Sequence, residues 1–176
     1  MCIRDRGDGS GSFPRLTGQP AWYLDKQLDD YASDARPDDL MTPVAQSLSE
    51  DDRAAVSAYY ASLAAPLRVA RGQVSAQEIQ KGAAIARAGS PDKGLPACTN
   101  CHGPDGTGNP PSVPYLAGQY ANYMVLQLDR WKRGQRDNDV GGMMSAIARK
   151  MTAEDMRAIS EYYERVANPL TTKDPQ

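Results

Sequence analysis

Apolar residues recur along this chain at three- and four-residue spacings, and the resulting stripes come in pairs. Over 50–64, Val56, Tyr59, Tyr60 and Leu63 fall on one face of a predicted helix. Ser49 and Asp52 have capping-box spacing at its start, with Asp in place of the usual Glu or Gln. A second stripe, Met156, Ile159, Tyr162, Tyr163 and Val166, follows Thr152 and Asp155 in the same way. Pro66 and Pro169 stand behind the two stripes as helix stops. Residues 21–33 and 121–133 make another amphipathic pair after Pro- and Gly-rich loops, and 76–88 predicts one more helix, broken by Gly89-Ser90-Pro91. Alternation with a period of two is nowhere sustained, so the fold is expected to be all-α.

The pairing is an internal repeat. FPRLTGQPAWYLDKQLDDY (13–31) lies over VPYLAGQYANYMVLQLDRW (113–131), with Pro14, Leu16, Gly18, Gln19, Ala21, Tyr23, Gln27, Leu28 and Asp29 recurring identically. MTPVAQSLSEDDRAAVSAYY (41–60) lies over MSAIARKMTAEDMRAISEYY (144–163), and Asp8-Gly9-Ser10-Gly11 over Asp105-Gly106-Thr107-Gly108. Three blocks in one order make the chain two tandem copies of one module. The expected division is 1–65, a linker over 66–75 that holds Pro66 and Gly72, and 76–170.

Composition narrows the chemistry. At 176 residues with a net charge of −2, the chain has room for two small domains and no basic footprint for nucleic acid. No apolar run approaches the roughly 18 residues that span a bilayer. Small domains bury little surface, so something besides an apolar core is expected to hold them. There is one histidine, His102, and it sits inside Cys98-Thr99-Asn100-Cys101-His102.

That pentapeptide is C-x-x-C-H, the attachment sequence of haem c. Two thiols three positions apart on one helical turn can add to the two vinyl groups of a haem, and the adjacent imidazole then reaches the iron from the same side. A zinc site would need two more ligands, and Cys2 is the one other thiol. A thioredoxin-type pair expects a βαβ setting, which a helical chain lacks. With no second histidine, the sixth iron ligand is expected to be methionine. The repeat selects Met144, which occupies the position of Met41; Met143 is adjacent but has no counterpart in the first copy. Thioether ligation raises the reduction potential and closes the sixth position, which argues against peroxidase chemistry.

With C-x-x-C-H-G-x-D-G, then P-x-L-A-G-Q, a Y-x-x-x-Q-L helix and a downstream Met, the chain resembles the cytochrome c4 family over essentially its whole length. The resemblance implies two tandem class I cytochrome c domains, soluble or membrane-associated in the bacterial periplasm. It implies electron transfer between respiratory complexes, from a quinol-oxidising complex toward a haem-copper terminal oxidase. It also implies that the Pro114 carbonyl accepts a hydrogen bond from the proximal His102, orienting the imidazole. Tyr115, Leu116, Tyr123, Leu128 and Trp131 are expected to line or flank the haem pocket, though at helical spacing they also suit a core. Arg136, which matches Arg36, is expected either to meet a haem propionate or to be a solvated surface residue; Asn138 and Asp139 read as loop. A second functional class is the cytochrome subunit of a flavoprotein or quinoprotein dehydrogenase.

The departure from the family lies at the start. Cys98, Cys101 and His102 fall on Met1, Arg4 and Asp5, so the first module as printed has no covalent attachment site, and Cys2 is an accidental thiol. Met41, the matching distal ligand of a first haem, is nevertheless retained. The expectation is a truncated reading frame whose opening residues resemble sequencing adapter, with a signal peptide and a first haem motif lost and two haems in the full-length protein. Genuine loss of one haem is the alternative. Without haem the first module keeps an apolar hollow and is expected to be marginal. A pyridine haemochrome spectrum of the purified chain is expected to show haem c at one per chain; absence of haem would instead leave a thiol oxidoreductase standing.

Overall fold

Periodicity of this kind buries one face of each helix, and the fold follows from which faces find partners. The structure, a computed structural model, describes residue 7, residues 9–64 and residues 73–166. Eight α-helices lie in these residues: α1 (Ala21–Ala32), α2 (Met41–Gln46), α3 (Glu50–Ser62), α4 (Ala76–Ala88), α5 (Thr99–His102), α6 (Ala121–Lys132), α7 (Met143–Lys150) and α8 (Ala153–Arg165). No strand is present among the described residues; three isolated bridges, such as Ser90 with Leu95, pin loops. Pro66, Pro169 and most of the expected linker lie outside the described residues.

Both predicted capping boxes form. Ser49 accepts from the Asp52 amide while the Asp52 carboxylate returns to the Ser49 amide, and Thr152 and Asp155 do the same for α8. Each satisfies donors that a helix start leaves orphaned. The short helices α2 and α7 escaped the periodicity reading, because six and eight residues hold too few turns to show a stripe.

The repeat is visible in the packing. α1 packs on α2 and α3, as α6 packs on α7 and α8. The second module adds α4, which crosses α8 so closely that a Cβ built on Gly82 would lie 2.0 Å from the Ala158 carbonyl oxygen. Only a glycine permits that approach. Ile85, Leu95, Met124, Leu128, Met151, Met156, Ile159, Tyr162 and Tyr163 gather into one buried cluster there. In the first module no described helix covers α3 in this way, and the difference shows in one residue pair. Tyr162 is 7% exposed, whereas its counterpart Tyr59 is 49% exposed. The same stripe is core in one copy and surface in the other.

The modules meet around a pseudo-two-fold axis that exchanges residues 100 apart. Gln19 Nε2 donates to the Tyr115 carbonyl at 3.0 Å, and Gln119 Nε2 donates to the Arg15 carbonyl at 3.0 Å. Deeper in the contact, Arg36 donates to the side-chain carbonyls of Gln27 (2.7 Å) and Gln127 (2.8 Å). Arg136 donates to those of Gln127 (2.8 Å) and Gln27 (2.9 Å). The four side chains form a closed ring, each glutamine oxygen accepting from both guanidinium groups. Arg130 of α6 also pairs with Asp38 across the contact at 3.0 Å.

α8 is anchored to α4 and to the loop that follows it by charge. Asp155 is fully buried, with its carboxylate 2.7 Å from Lys93 Nζ, 3.4 Å from Lys81 Nζ and 2.9 Å from the Thr152 amide. Burial alone would raise its pKa, but the Lys93 ammonium and the Thr152 donors outweigh burial and hold the carboxyl well below the usual range. A depressed folded-state pKa contributes stability above the unfolded value of about 3.9, and that contribution is lost as pH falls below it. Thermal unfolding of the second module is expected to move to lower temperature as pH drops below about 4. Asp155→Asn is expected to cost about 1–3 kcal/mol at pH 7, the lysines being partly solvated, and to flatten that acid limb in calorimetric scans.

Candidate haem site

The attachment sequence folds as a single helical turn. Cys98 caps α5, and its carbonyl accepts from the His102 amide at 2.9 Å and the Cys101 amide at 3.2 Å. One turn places both thiols and the imidazole on neighbouring positions of one short helix. Cys98 is half-buried against the apolar cluster, and Cys101 is exposed; both are free thiols. Burial pushes the Cys98 thiol up, with the nearby Tyr163 hydroxyl acting in the opposite direction. A thiol held protonated is the reverse of what a redox-active C-x-x-C needs.

His102 is 8% exposed, and its Nδ1 lies 2.8 Å from the Pro114 carbonyl oxygen. A carbonyl can only accept, so Nδ1 carries the proton and Nε2 keeps its lone pair. Burial lowers the His102 pKa, with the Pro114 bond opposing it, so the ring is neutral and ready to act as a ligand. The loop between them makes this possible. Gly108 donates from its amide to the His102 carbonyl at 2.7 Å, and the amides of Leu116 and Ala117 both reach the Gly106 carbonyl. Gly106 has φ +76°, and a Cβ there would meet the Tyr163 ring at 2.5 Å. The turn therefore requires glycine on two counts.

Across the cluster, α7 presents its first two residues differently. Met144 is half-buried against the same apolar cluster as Cys98, Leu116 and Trp131, whereas Met143 is 53% exposed. α7 starts where it does because Asp139 accepts from the Ser145 amide (3.1 Å) and hydroxyl (2.8 Å). Met41 holds the matching place at the start of α2, half-buried, beside Asp38, whose carboxylate accepts from the Met41 amide at 3.1 Å. Asp139 therefore does more than fill a loop. Asn138 does too, donating to Gln27 at 3.0 Å and to Asp30 at 2.6 Å.

The flanking residues separate into two groups. Leu116 and Trp131 pack against the cluster, and Leu128 belongs to it. Tyr115 does not: it is 1% exposed, and its hydroxyl donates to the Thr17 carbonyl of the first module. Tyr123 faces the same way, its hydroxyl accepting from Arg36 at 3.3 Å. The hydroxyls of these two tyrosines serve the module contact, because a buried hydroxyl goes where its hydrogen-bond partner is. Arg136, expected at a propionate or in solvent, is 4% exposed and lies in the four-residue ring, its guanidinium 4.0 Å from the centre of the Trp131 ring.

These residues fit haem c. Two free thiols, an imidazole with Nε2 unclaimed by any described residue, and a half-buried thioether surround an apolar cluster. The indole Nε1 of Trp131 is buried with no partner, an open donor of the kind an acidic substituent of a haem would take. When bound, haem c supplies reversible one-electron chemistry at iron. The chain's part is to hold a neutral imidazole in one orientation, to offer one thioether, and to keep water from the apolar side.

Comparison with known proteins agrees with that geometry. The family profile described as Cytochrome c matches residues 79–166. The thiosulfate dehydrogenase electron acceptor of Stutzerimonas stutzeri (strain A1501) is 41% identical over 94% of this chain and 76% of that protein. The chain belongs to the cytochrome c family. Within it, the chain is similar to cytochrome c4. The crystal structure of reduced recombinant cytochrome c4 from Pseudomonas stutzeri superposes with a TM-score of 0.82 at 33% identity, covering 90% of this chain and 89% of that one. A thiosulfate dehydrogenase from Marichromatium purpuratum superposes with a TM-score of 0.86 at 35% identity over 95% of this chain, which spans 36% of that longer protein. Cytochromes c4 carry two haems; the described C-x-x-C-H of this cytochrome accounts for one. Met144→Ala is expected to abolish the long-wavelength methionine–iron absorption band of the oxidised cytochrome and to lower its midpoint potential, while Met143→Ala leaves both unchanged.

Proposed function

We propose that this cytochrome carries single electrons between redox proteins of the periplasm, taking them from a thiosulfate dehydrogenase and passing them toward a haem-copper terminal oxidase. His102 and Met144 would hold the iron, and haem c held by both would exchange single electrons without taking a substrate. The observation that carries the donor is the 41% identity, over nearly the whole chain, to a protein named as the electron acceptor of such an enzyme. The structural likeness to a thiosulfate dehydrogenase over 95% of the chain points the same way. Partnership with a dehydrogenase is the second of the two classes compatible with the sequence. The dehydrogenase is here named by the relatives rather than taken to be a flavoprotein or quinoprotein.

The test mixes the oxidised holo-cytochrome with thiosulfate dehydrogenase and thiosulfate and follows the haem bands. One electron per haem is expected to arrive only when enzyme and thiosulfate are both present, and membranes containing a haem-copper oxidase are expected to reoxidise the cytochrome. Reduction by a flavoprotein or quinoprotein dehydrogenase, with none by the thiosulfate enzyme, would replace this donor.

A further inference from the structure

A thioether carries no charge to steer it, and three rotatable bonds let a methionine point many ways. Where it sits depends on the backbone beneath it, and α7 gives that backbone little support of its own. At eight residues the helix is short for stability in isolation. Gly142 begins it with no side-chain cap, and Gly141 and Gly142 both have φ +66°. A Cβ at either glycine would meet nothing within 4 Å, so neither is there to clear a neighbour. Paired glycines leave a loop the widest choice of conformation. A side chain from that loop restricts the choice. The Asp139 carboxylate accepts from the Ser145 amide at 3.1 Å and from the Ser145 hydroxyl at 2.8 Å. The Asp139 carbonyl accepts from the Gly142 amide at 3.1 Å. The Ser145 amide belongs to the planar peptide that joins Met144 to Ser145, so Asp139 fixes the plane from which Met144 departs. Ser145 is buried, and water competes poorly for its two donors.

The first module contains the same device in another form. The Asp38 carboxylate accepts from the amides of Leu40 and Met41 at 3.1 Å each, and the Asp38 amide donates at 3.1 Å to Thr42, the counterpart of Ser145. Arg36 precedes Met41 by five positions and Arg136 precedes Met144 by eight, yet both loops tie the turn at the methionine to an aspartate. Register matters here, because a helix advances about 100° per residue. A slip of one position would exchange Met144, packed against the apolar cluster, with the exposed Met143.

We propose that Asp139 is a positioning residue for the sixth iron ligand: through Ser145 it holds Met144 against the apolar cluster, and so sets how firmly the thioether is kept on iron. It acts through the backbone and has no need to reach the iron itself. The inference rests on Met144 being that ligand and not on which proteins supply or take the electrons. Imidazole added in solution competes for the same coordination position. Its apparent affinity for the oxidised cytochrome therefore reports the hold on Met144.

The test titrates the oxidised holo-cytochrome with imidazole and follows loss of the long-wavelength methionine–iron band. Asp139→Ala is expected to bind imidazole about ten- to hundredfold more tightly than the unsubstituted protein, since two bonds to a carboxylate are lost. Asp139→Asn keeps an oxygen for the Ser145 amide and is expected to recover most of that difference. Lys150→Met controls for general loosening of α7, because it removes the bond from Lys150 to the Gly94 carbonyl (2.9 Å) at the other end of the helix. Its imidazole affinity is expected to match that of the unsubstituted protein. An unchanged affinity in Asp139→Ala, or an equal rise in Lys150→Met, overturns the proposal. A band that survives Met144→Ala overturns the ligand assignment, and this proposal with it. Should Asp139→Ala fail to take up haem, Ser145→Ala decides the same point by removing the hydroxyl bond alone. A rise of about threefold is then expected, and no rise overturns the idea.

Discussion

An imidazole ring beside a carbonyl oxygen has one way to bond it, and the 2.8 Å contact between His102 Nδ1 and Pro114 therefore sets the tautomer of the chain's only histidine. Much of the second module serves that contact. Glycines at 103, 106 and 108 with positive φ let residues 103–114 fold back over α5, and Gly106 leaves room for Tyr163 of α8. α8 is held in turn by the glycine crossing with α4 and by the buried Asp155. The single turn of α5 would not be stable alone, since one turn forms too few hydrogen bonds to offset its ordering. Tertiary packing keeps it helical and keeps the imidazole in one orientation.

The two copies of the module show how context divides one pattern into two outcomes. Tyr59 and Tyr162 occupy equivalent places, yet the second is buried under α4 and the first is half in water. A core cluster of the described residues forms in the second module alone. What steadies the first module instead is its contact with the second, where paired glutamines and arginines are related by the pseudo-two-fold axis. That contact is polar at its centre, so it specifies register more than it contributes apolar burial. It also buries one arginine of each module, Arg36 and Arg136, at the axis.

Much of the fold was legible in the residues. α4 and the starts of α1, α3, α6 and α8 fall where periodicity and caps predict them, because helical stripes and Ser/Thr–x–x–Asp boxes are local signals. The C-x-x-C-H motif and the difference in burial between Met144 and Met143 follow a similar logic: fixed spacing and an internal copy carry the information along the chain. Other features were not legible. The spacing of Tyr115 and Tyr123 does not reveal which neighbour each hydroxyl meets, and both hydroxyls reach the first module. The burial of Arg136 excludes its surface alternative, and the hydrogen bonds of the loop residues Asn138 and Asp139 are not signalled by spacing.

What the sequence by itself determined is the chemistry: a helical module written twice, the C-x-x-C-H of a cytochrome c, and the one histidine and the paired methionines offered to iron. Those depend on residue type and short-range spacing. What only the tertiary structure decided is where charge and exposure fall. The burial of Arg36 and Arg136 arises from residues about 100 apart meeting on an axis, and the exposure of Tyr59 from a helix face left uncovered. Neither is encoded locally, because both depend on what lies across a contact rather than along the chain.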